Sequence, residues 1–291
     1  MERILFGDNQ FFGINHMSDE QARKMAIQFQ TNAAVMDMLD GVLDEGIHVL
    51  MCTTHERIGD ICALIRSDPE RYRDLKIYPC MPYAHKYANA VSEIGMVEAI
   101  KQFLPTDTPI LSAMKSGLAV ARKDIDVLIR ALIDAEMKMF AGIPTPVIFL
   151  QNVVTDLALG LGFRQALRTF ADHVQQAYGA EPGFITMNLP MLLDALESVG
   201  IDNPIVCANI NKLGFRMCGG VEAYERIVET RRFRAVAMSV FASGAIPPSE
   251  AVEYVCSNSR IESIVFGASS LRNVRHTKQL IERFSAAPSL S

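Results

Sequence analysis

The chain has 291 residues, of which 49% are hydrophobic and 21% charged, and carries a formal net charge of -5. That length and apolar content can bury a large core within one domain spanning residues 1–291. The acidic balance excludes broad neutralisation of a nucleic-acid backbone despite the local cluster Arg231, Arg232 and Arg234, and no apolar run approaches the length that crosses a bilayer.

Hydrophobic period and punctuation give the elements in chain order. Ile4–Gly7 is a short apolar strand ending at Asp8, Asn9 and Gln10, and MERILFGDNQ has neither the apolar core nor the cleavage site of a leader. Ser18 followed by Asp19 and Glu20 supplies the N-cap and acidic first turn of a helix. A second amphipathic helix, Ala33–Asp44, closes at Gly46 before the strand Ile47–Cys52. Arg57–Arg66 is helical, the turn Ser67, Asp68, Pro69 follows, and Lys76–Cys80 is the third strand.

Before the fourth strand, Pro146–Leu150, helices are predicted near Ser92–Phe103, Pro109–Val120 and Asp124–Phe140. They make about 91–140 a helical insertion that covers the barrel mouth or forms an oligomer contact. Four more strands follow at shorter intervals: Gly183–Met187, Pro204–Ala208, Ala235–Val240 and Ser263–Gly267. The tail Ser285–Ser291 is expected to fray.

Short apolar strands alternating with helices predict an α/β fold, a (β/α)8 TIM barrel with extra helices between strands one and two and between strands three and four. A doubly wound open sheet would start with a glycine-rich turn, and FGDNQFFG is not G-x-G-x-x-G. Cys52, Cys62, Cys80, Cys207, Cys218 and Cys256 contain no C-x-x-C pair, which predicts reduced thiols in a soluble, cytoplasmic protein.

A barrel of this kind gathers its chemistry at the C-terminal ends of the strands, so the residues after each strand are the candidates. Asp8, Asn9, Gln10 and His16 follow the first, His55 and Glu56 the second, Tyr83, His85 and Lys86 the third. Asn152, Asn188, Asn209 and Asn211 follow later strands and offer paired donors and acceptors for orienting a substrate. Ser243 follows the seventh strand. In VFGASSLRNV, Gly267, Ser269, Ser270, Arg272 and Asn273 surround a helix start, which is either an anion site or a simple serine cap.

Asp8, His16, His55 and His85 could converge on a divalent metal, but their spacing forms no ligand motif, and no metal is expected. Lys212 could form a Schiff base if desolvation lowered its proton affinity, or it is an exposed loop charge. Cys80 and Cys207 lie at strand ends without an adjacent base in sequence, so packing is expected of both.

The segments AVAMSVFASGAI and IESIVFGASSLRNV resemble the seventh and eighth strands, with their loops, of the aldo-keto reductase superfamily. GFITMNLPMLLDAL and EGIHVLMCTTHERIG are similar to its fifth and second units. The resemblance implies a (β/α)8 barrel and NADP held by the eighth loop. It also implies a tetrad of Asp and Tyr after strand two, Lys at strand three and His at strand four. MCTTHERIG contains no Asp or Tyr, IYPCMPY no Lys and IFLQN no His, so the tetrad is unmatched.

The leading expectation is an enzyme acting on an anionic metabolite, phosphorylated or carboxylated, by general acid–base chemistry, with His55 as acid or base tuned by Glu56. Three alternatives stand beside it: an NADP-dependent oxidoreductase with a non-standard proton donor, a Schiff-base lyase using Lys212, and a non-catalytic ligand-binding barrel. A homodimer is the partner expectation by frequency alone.

Overall fold

The alternation of strands and helices closes into a barrel of eight parallel strands in chain order. The strands are β1 (Ile4–Gly7), β2 (Val49–Thr53), β3 (Lys76–Met81), β4 (Val147–Leu150), β5 (Glu181–Thr186), β6 (Ile205–Asn209), β7 (Arg234–Met238) and β8 (Ile261–Phe266). The structure, a computed structural model, describes residues 1–14, 18–83 and 122–286. The helices predicted near Ser92–Phe103 and Pro109–Val120 lie outside the described residues.

Among the described residues the helices are α1 (Asp19–Gln28), α2 (Asn32–Asp44), α3 (Glu56–Ser67), α4 (Arg122–Met137), α5 (Asn152–Gly160), α6 (Arg164–Tyr178), α7 (Leu189–Ser198), α8 (Gly220–Thr230), α9 (Pro248–Cys256) and α10 (Leu271–Ala286). Several helix starts are set by side chains that accept an orphan first-turn amide: Ser18 from Gln21, Thr31 from Ala34 and Asn188 from Met191. None of the described helices is long and apolar enough to cross a membrane.

Strand period sorts the core into two layers. Leu5, Val49, Met51, Tyr78, Phe149, Ile185, Cys207 and Val236 fill the barrel. Their alternates Phe6, Leu50, Cys52, Ile77, Ile148, Phe184, Val206 and Ala237 face outward into the layer under the helices. Being buried on both faces is why the strands read as near-continuous apolar runs. The same period assigns the ends: Thr53 and Asn209 continue the inner face, whereas Thr54 and Thr186 continue the outer one.

At the N-terminal end, Arg234 meets Glu262 through two bonds of 2.9 Å and also Glu181, while Lys76 meets Glu2 at 2.8 Å. The Arg234 guanidinium holds the Glu262 carboxyl down to about 2. This ionic layer closes the barrel opposite the face where a site is expected.

The ring of Phe149 lies over Gly183, its register partner on β5, so that a Cβ at Gly183 would meet ring carbons at 2.4 and 2.5 Å. Phe149 is fully buried and has no room to withdraw. Gly183→Ala is therefore expected to destabilise the fold by about 1–3 kcal/mol through overpacking. A urea titration checks this, with a lower midpoint and unchanged slope expected; an unchanged midpoint would show that the ring yields freely.

Candidate functional site at the barrel mouth

Three consecutive residues at the end of β2 are each fixed by a different partner. Thr53 points inward, and both its amide and its hydroxyl donate to Asp8 Oδ2 at 2.8 Å. Thr54 points outward, and its hydroxyl donates to the carboxylate of Glu136 on α4. His55 caps α3, its Nδ1 accepting the amide of Arg57 at 3.1 Å. An amide can only donate, so this Nδ1 carries no proton and the neutral ring carries its proton on Nε2.

The His55 ring lies 4.5 Å from the Phe12 ring and meets Tyr83 edge-on at 5.5 Å. Asp8 is 5% exposed, and burial pushes its carboxyl up to about 6 against the lowering effect of the Thr53 bonds. Burial and then the Asp8 charge push the Tyr83 phenol up, which keeps it a proton donor at neutral pH. Asp8, His55 and Tyr83 thus come together at the corner where β1, β2 and β3 end. Glu56, the other half of the sequence expectation at β2, is exposed on the first turn of α3.

The remaining expected residues divide by what already holds them. Gln10 donates to Gly7 O at 2.6 Å and lies flush against Gly267, where a Cβ would meet its Oε1 at 2.2 Å. The glycine in the eighth loop therefore makes room for Gln10. Asn9 is exposed beside it, and Asn152 is half-buried at the start of α5. Asn188 is the cap of α7. Asn211 is used at both ends by Phe215, accepting its amide at 2.8 Å and donating to its carbonyl at 3.0 Å, which makes it a loop clamp. Asn209 faces the barrel interior, donates to Arg216 O at 3.0 Å, and leaves its buried Oδ1 without a hydrogen-bond partner.

In the eighth loop, Ser270 Oγ accepts the Asn273 amide at 3.3 Å as the cap of α10, and Ser269 O accepts from Gln28 at 2.6 Å. Arg272 and Asn273 are exposed on the first turn, and Ser243 sits after β7 with positive φ. His16 and His85, with Lys86 and Lys115, lie outside the described residues. Among the described residues no group of three or more His, Cys, Asp or Glu could hold a metal ion.

Two expectations change. Lys212 is more than half exposed and paired with Glu250 at 2.7 Å, and that bond raises its pKa. A Schiff-base lysine needs the opposite shift, produced by desolvation that this position lacks. His55 was expected as a proton-transfer acid or base, but the Arg57 amide occupies the nitrogen that would have to exchange its proton with Nε2. It can donate a hydrogen bond from Nε2 without changing charge. Burial pushes the Cys80 and Cys207 thiols well up, in line with packing.

Sequence reasoning missed Glu136 and gave Asp156, which follows β4, no partner. Asp156 on α5 accepts the Thr186 hydroxyl and, at 3.0 Å, the Met187 amide. A cleft of ≈ 370 Å³ lies on the flank between α8 and α9, lined by Tyr224, Tyr254 and Arg260. It contains none of the mouth residues, and the titratable cluster at β1 to β3 is the better candidate site.

The architecture is that of a (β/α)8 barrel. No family model matches the chain, and no curated protein matches it. Among solved structures, it is similar over 97% of its length to a protein from Pseudomonas aeruginosa described as an aldo-keto reductase, at 12% identity, TM-score 0.60 and 91% of that chain. An aldo-keto reductase from a Medee basin deep-sea metagenome library matches over 100% of this chain and 93% of its own, at 9% identity and TM-score 0.54. The holo form of an aldo-keto reductase from Bacillus halodurans matches over 99% and 88%, at 12% identity and TM-score 0.54. The chain has an aldo-keto-reductase-like barrel, diverged in sequence. Thr53, Thr54 and Ile58 stand in the β2 region, Cys80 and Met81 at the end of β3, and Gln151 and Asn152 after β4, so the tetrad is not matched.

The raised Asp8 pKa has a stability consequence whose sign is fixed. The folded state holds this proton more tightly than a free carboxyl near 3.8, so ionising Asp8 costs stability above pH 6 and nothing below 3.8. Asp8→Asn keeps an acceptor for Thr53 and is expected to stabilise the protein above pH 6 by on the order of 3 kcal/mol. Chemical denaturation from pH 3.5 to 8 should show this gain shrinking as pH falls through the window. A gain independent of pH would contradict burial as its cause.

Proposed function

We propose that this chain is a small-molecule enzyme that moves a proton at the carbon next to a carbonyl in an anionic metabolite. Asp8 is the base: a buried carboxyl titrating at about 6 is largely ionised at neutral pH yet more basic than an ordinary aspartate. His55 donates Nε2–H to the carbonyl oxygen, and the Tyr83 phenol is a second donor as that oxygen gains negative charge. A neutral imidazole held at a helix start is suited to this electrophilic role because it polarises the oxygen without giving up its proton. The observation that carries the reading is the capping bond from Arg57, which fixes the His55 tautomer beside Asp8 and Tyr83.

Support for an anionic substrate comes from the start of α10, where the Arg272 and Asn273 side chains are exposed on the first turn. The same residues are the ones that would hold the phosphate end of NADP, and likeness to aldo-keto reductases, one of them a holo form, favours a second reading as an oxidoreductase. NADP would supply a hydride there, with the Tyr83 phenol as proton donor to the reduced oxygen and His55 as a hydrogen-bond donor to it. Titration with NADPH, followed by its fluorescence, separates the two readings. Saturable binding favours reduction, and none up to millimolar cofactor removes it.

The direct test is solvent exchange. In D2O, NMR of 2-oxo acids and phosphorylated ketoses incubated with the protein should show catalysed loss of the proton next to the carbonyl. Asp8→Asn is expected to slow that exchange by roughly 10²- to 10⁴-fold, the usual worth of a general base. Exchange undiminished in the variant would remove Asp8 from the chemistry, and ligand binding without exchange would make the barrel a binding protein.

A further inference from the structure

The outer layer holds a carboxylate that joins the two backbone segments carrying the proposed donors. Glu136 is on α4, 2% exposed. One of its oxygens accepts the Thr54 hydroxyl, and both lie near the Tyr83 amide, at 3.2 and 3.3 Å. Thr54 immediately precedes His55, and the His55 and Tyr83 rings meet edge-on at 5.5 Å. We propose that Glu136 is a positioning residue that sets the His55–Tyr83 pair by fixing the ends of β2 and β3 against each other from behind.

The physical case is that one carboxylate behind the strand ends receives a donor from each of the two segments. The Tyr83 amide follows the last residue of β3, beyond the end of the strand ladder, and the Thr54 hydroxyl is fully buried and points away from the mouth. A carboxylate meets both with charge-assisted bonds, which are short and directional. Holding α4 itself in place does not require Glu136. Asp126 accepts from Thr169 at 2.6 Å, Asp134 is bonded to His173 at 2.7 Å and accepts from Tyr178 at 2.5 Å, and Ile133, Met137 and Phe140 are buried. The helix is docked on α6 by these other side chains, while Glu136 bonds the two strand ends.

The role in catalysis rests on the reading given under Proposed function, whereas the geometric claim can be tested without any substrate. Protein labelled at histidine and tyrosine should show ring-to-ring nuclear Overhauser contacts between His55 and Tyr83. Glu136→Gln keeps the volume but turns an NH2 toward one of the two donors, and Thr54→Val removes the hydroxyl while leaving Glu136 intact. Both are expected to abolish the His55–Tyr83 contact and to slow proton exchange by roughly 10- to 100-fold, the effect of misplacing a reacting group by about an ångström. Thr54→Ser, which keeps the hydroxyl, should restore the contact. Retention of the contact in folded Glu136→Gln, or in Thr54→Val should the glutamine variant not fold, overturns the inference. Loss of the contact with exchange unaffected would leave the positioning claim standing and sink the proton-transfer reading instead.

Discussion

Backbone amides just past the last ladder bond of a strand need acceptors, and at three places at the mouth of this barrel carboxylates supply them. Asp8 takes the Thr53 amide and hydroxyl, Glu136 the Tyr83 amide and Thr54 hydroxyl, and Asp156 the Met187 amide and Thr186 hydroxyl. An unpaired buried amide is costly, and a carboxylate can receive several donors at once. The same economy forces acids into apolar surroundings at one end of the barrel only. There burial raises Asp8 and Asp156, while at the opposite end the Arg234 guanidinium draws Glu262 down. One rim is charge-compensated and inert. The other holds carboxyls whose proton affinity is shifted toward neutrality, which is the property proton-transfer chemistry needs.

The architecture was legible because a strand buried on both faces has a simple signature. Ile4–Gly7 was placed to the residue, and Ile205–Asn209 differs from the predicted Pro204–Ala208 by one step at each end. Those runs are apolar, short and bounded by polar or turn residues, and they recur over many repeats. Helix starts were legible for a related reason: Ser18 caps α1 as its sequence Ser-Asp-Glu suggests. The mouth was legible only in part. Asp8, His55 and Tyr83 could be named because each directly follows a strand, and strand ends are the one place where position in sequence specifies position in a barrel.

Glu136 carried no such mark. It lies in the run RALIDAEMKMF, where a single acid looks like the polar face of an amphipathic helix, and its partners Thr54 and Tyr83 are distant in sequence. Asp156 follows β4, but nothing local in the sequence gives it a partner, since its bonds cross to the end of β5. Asn211 failed in the other direction: an amide after a strand reads as a substrate contact, yet both its ends are spent on holding a five-residue turn. Local hydrogen bonding by Asn competes with ligand binding in the same positions, and only coordinates separate the two.

Likeness of fold sharpens the question of what the missing tetrad implies. Barrel mouths assemble chemistry from several strand ends, so a carboxylate, a phenol and an imidazole need not arrive from the strands that supply them in other proteins. Here they arrive from β1, β3 and β2, and no described lysine accompanies them at the end of β3. The His55 tautomer then narrows the chemistry further than the residue types do. Thr53 is gripped inward by Asp8, Thr54 outward by Glu136, and His55 is turned by the Arg57 amide, so the imidazole cannot swap its two nitrogens without breaking a helix cap. A ring so constrained delivers a hydrogen bond repeatedly and a proton only at the expense of the cap. In the proposed reaction the transferable proton therefore resides on a neighbour, and at this corner the carboxyl whose affinity suits that role is Asp8.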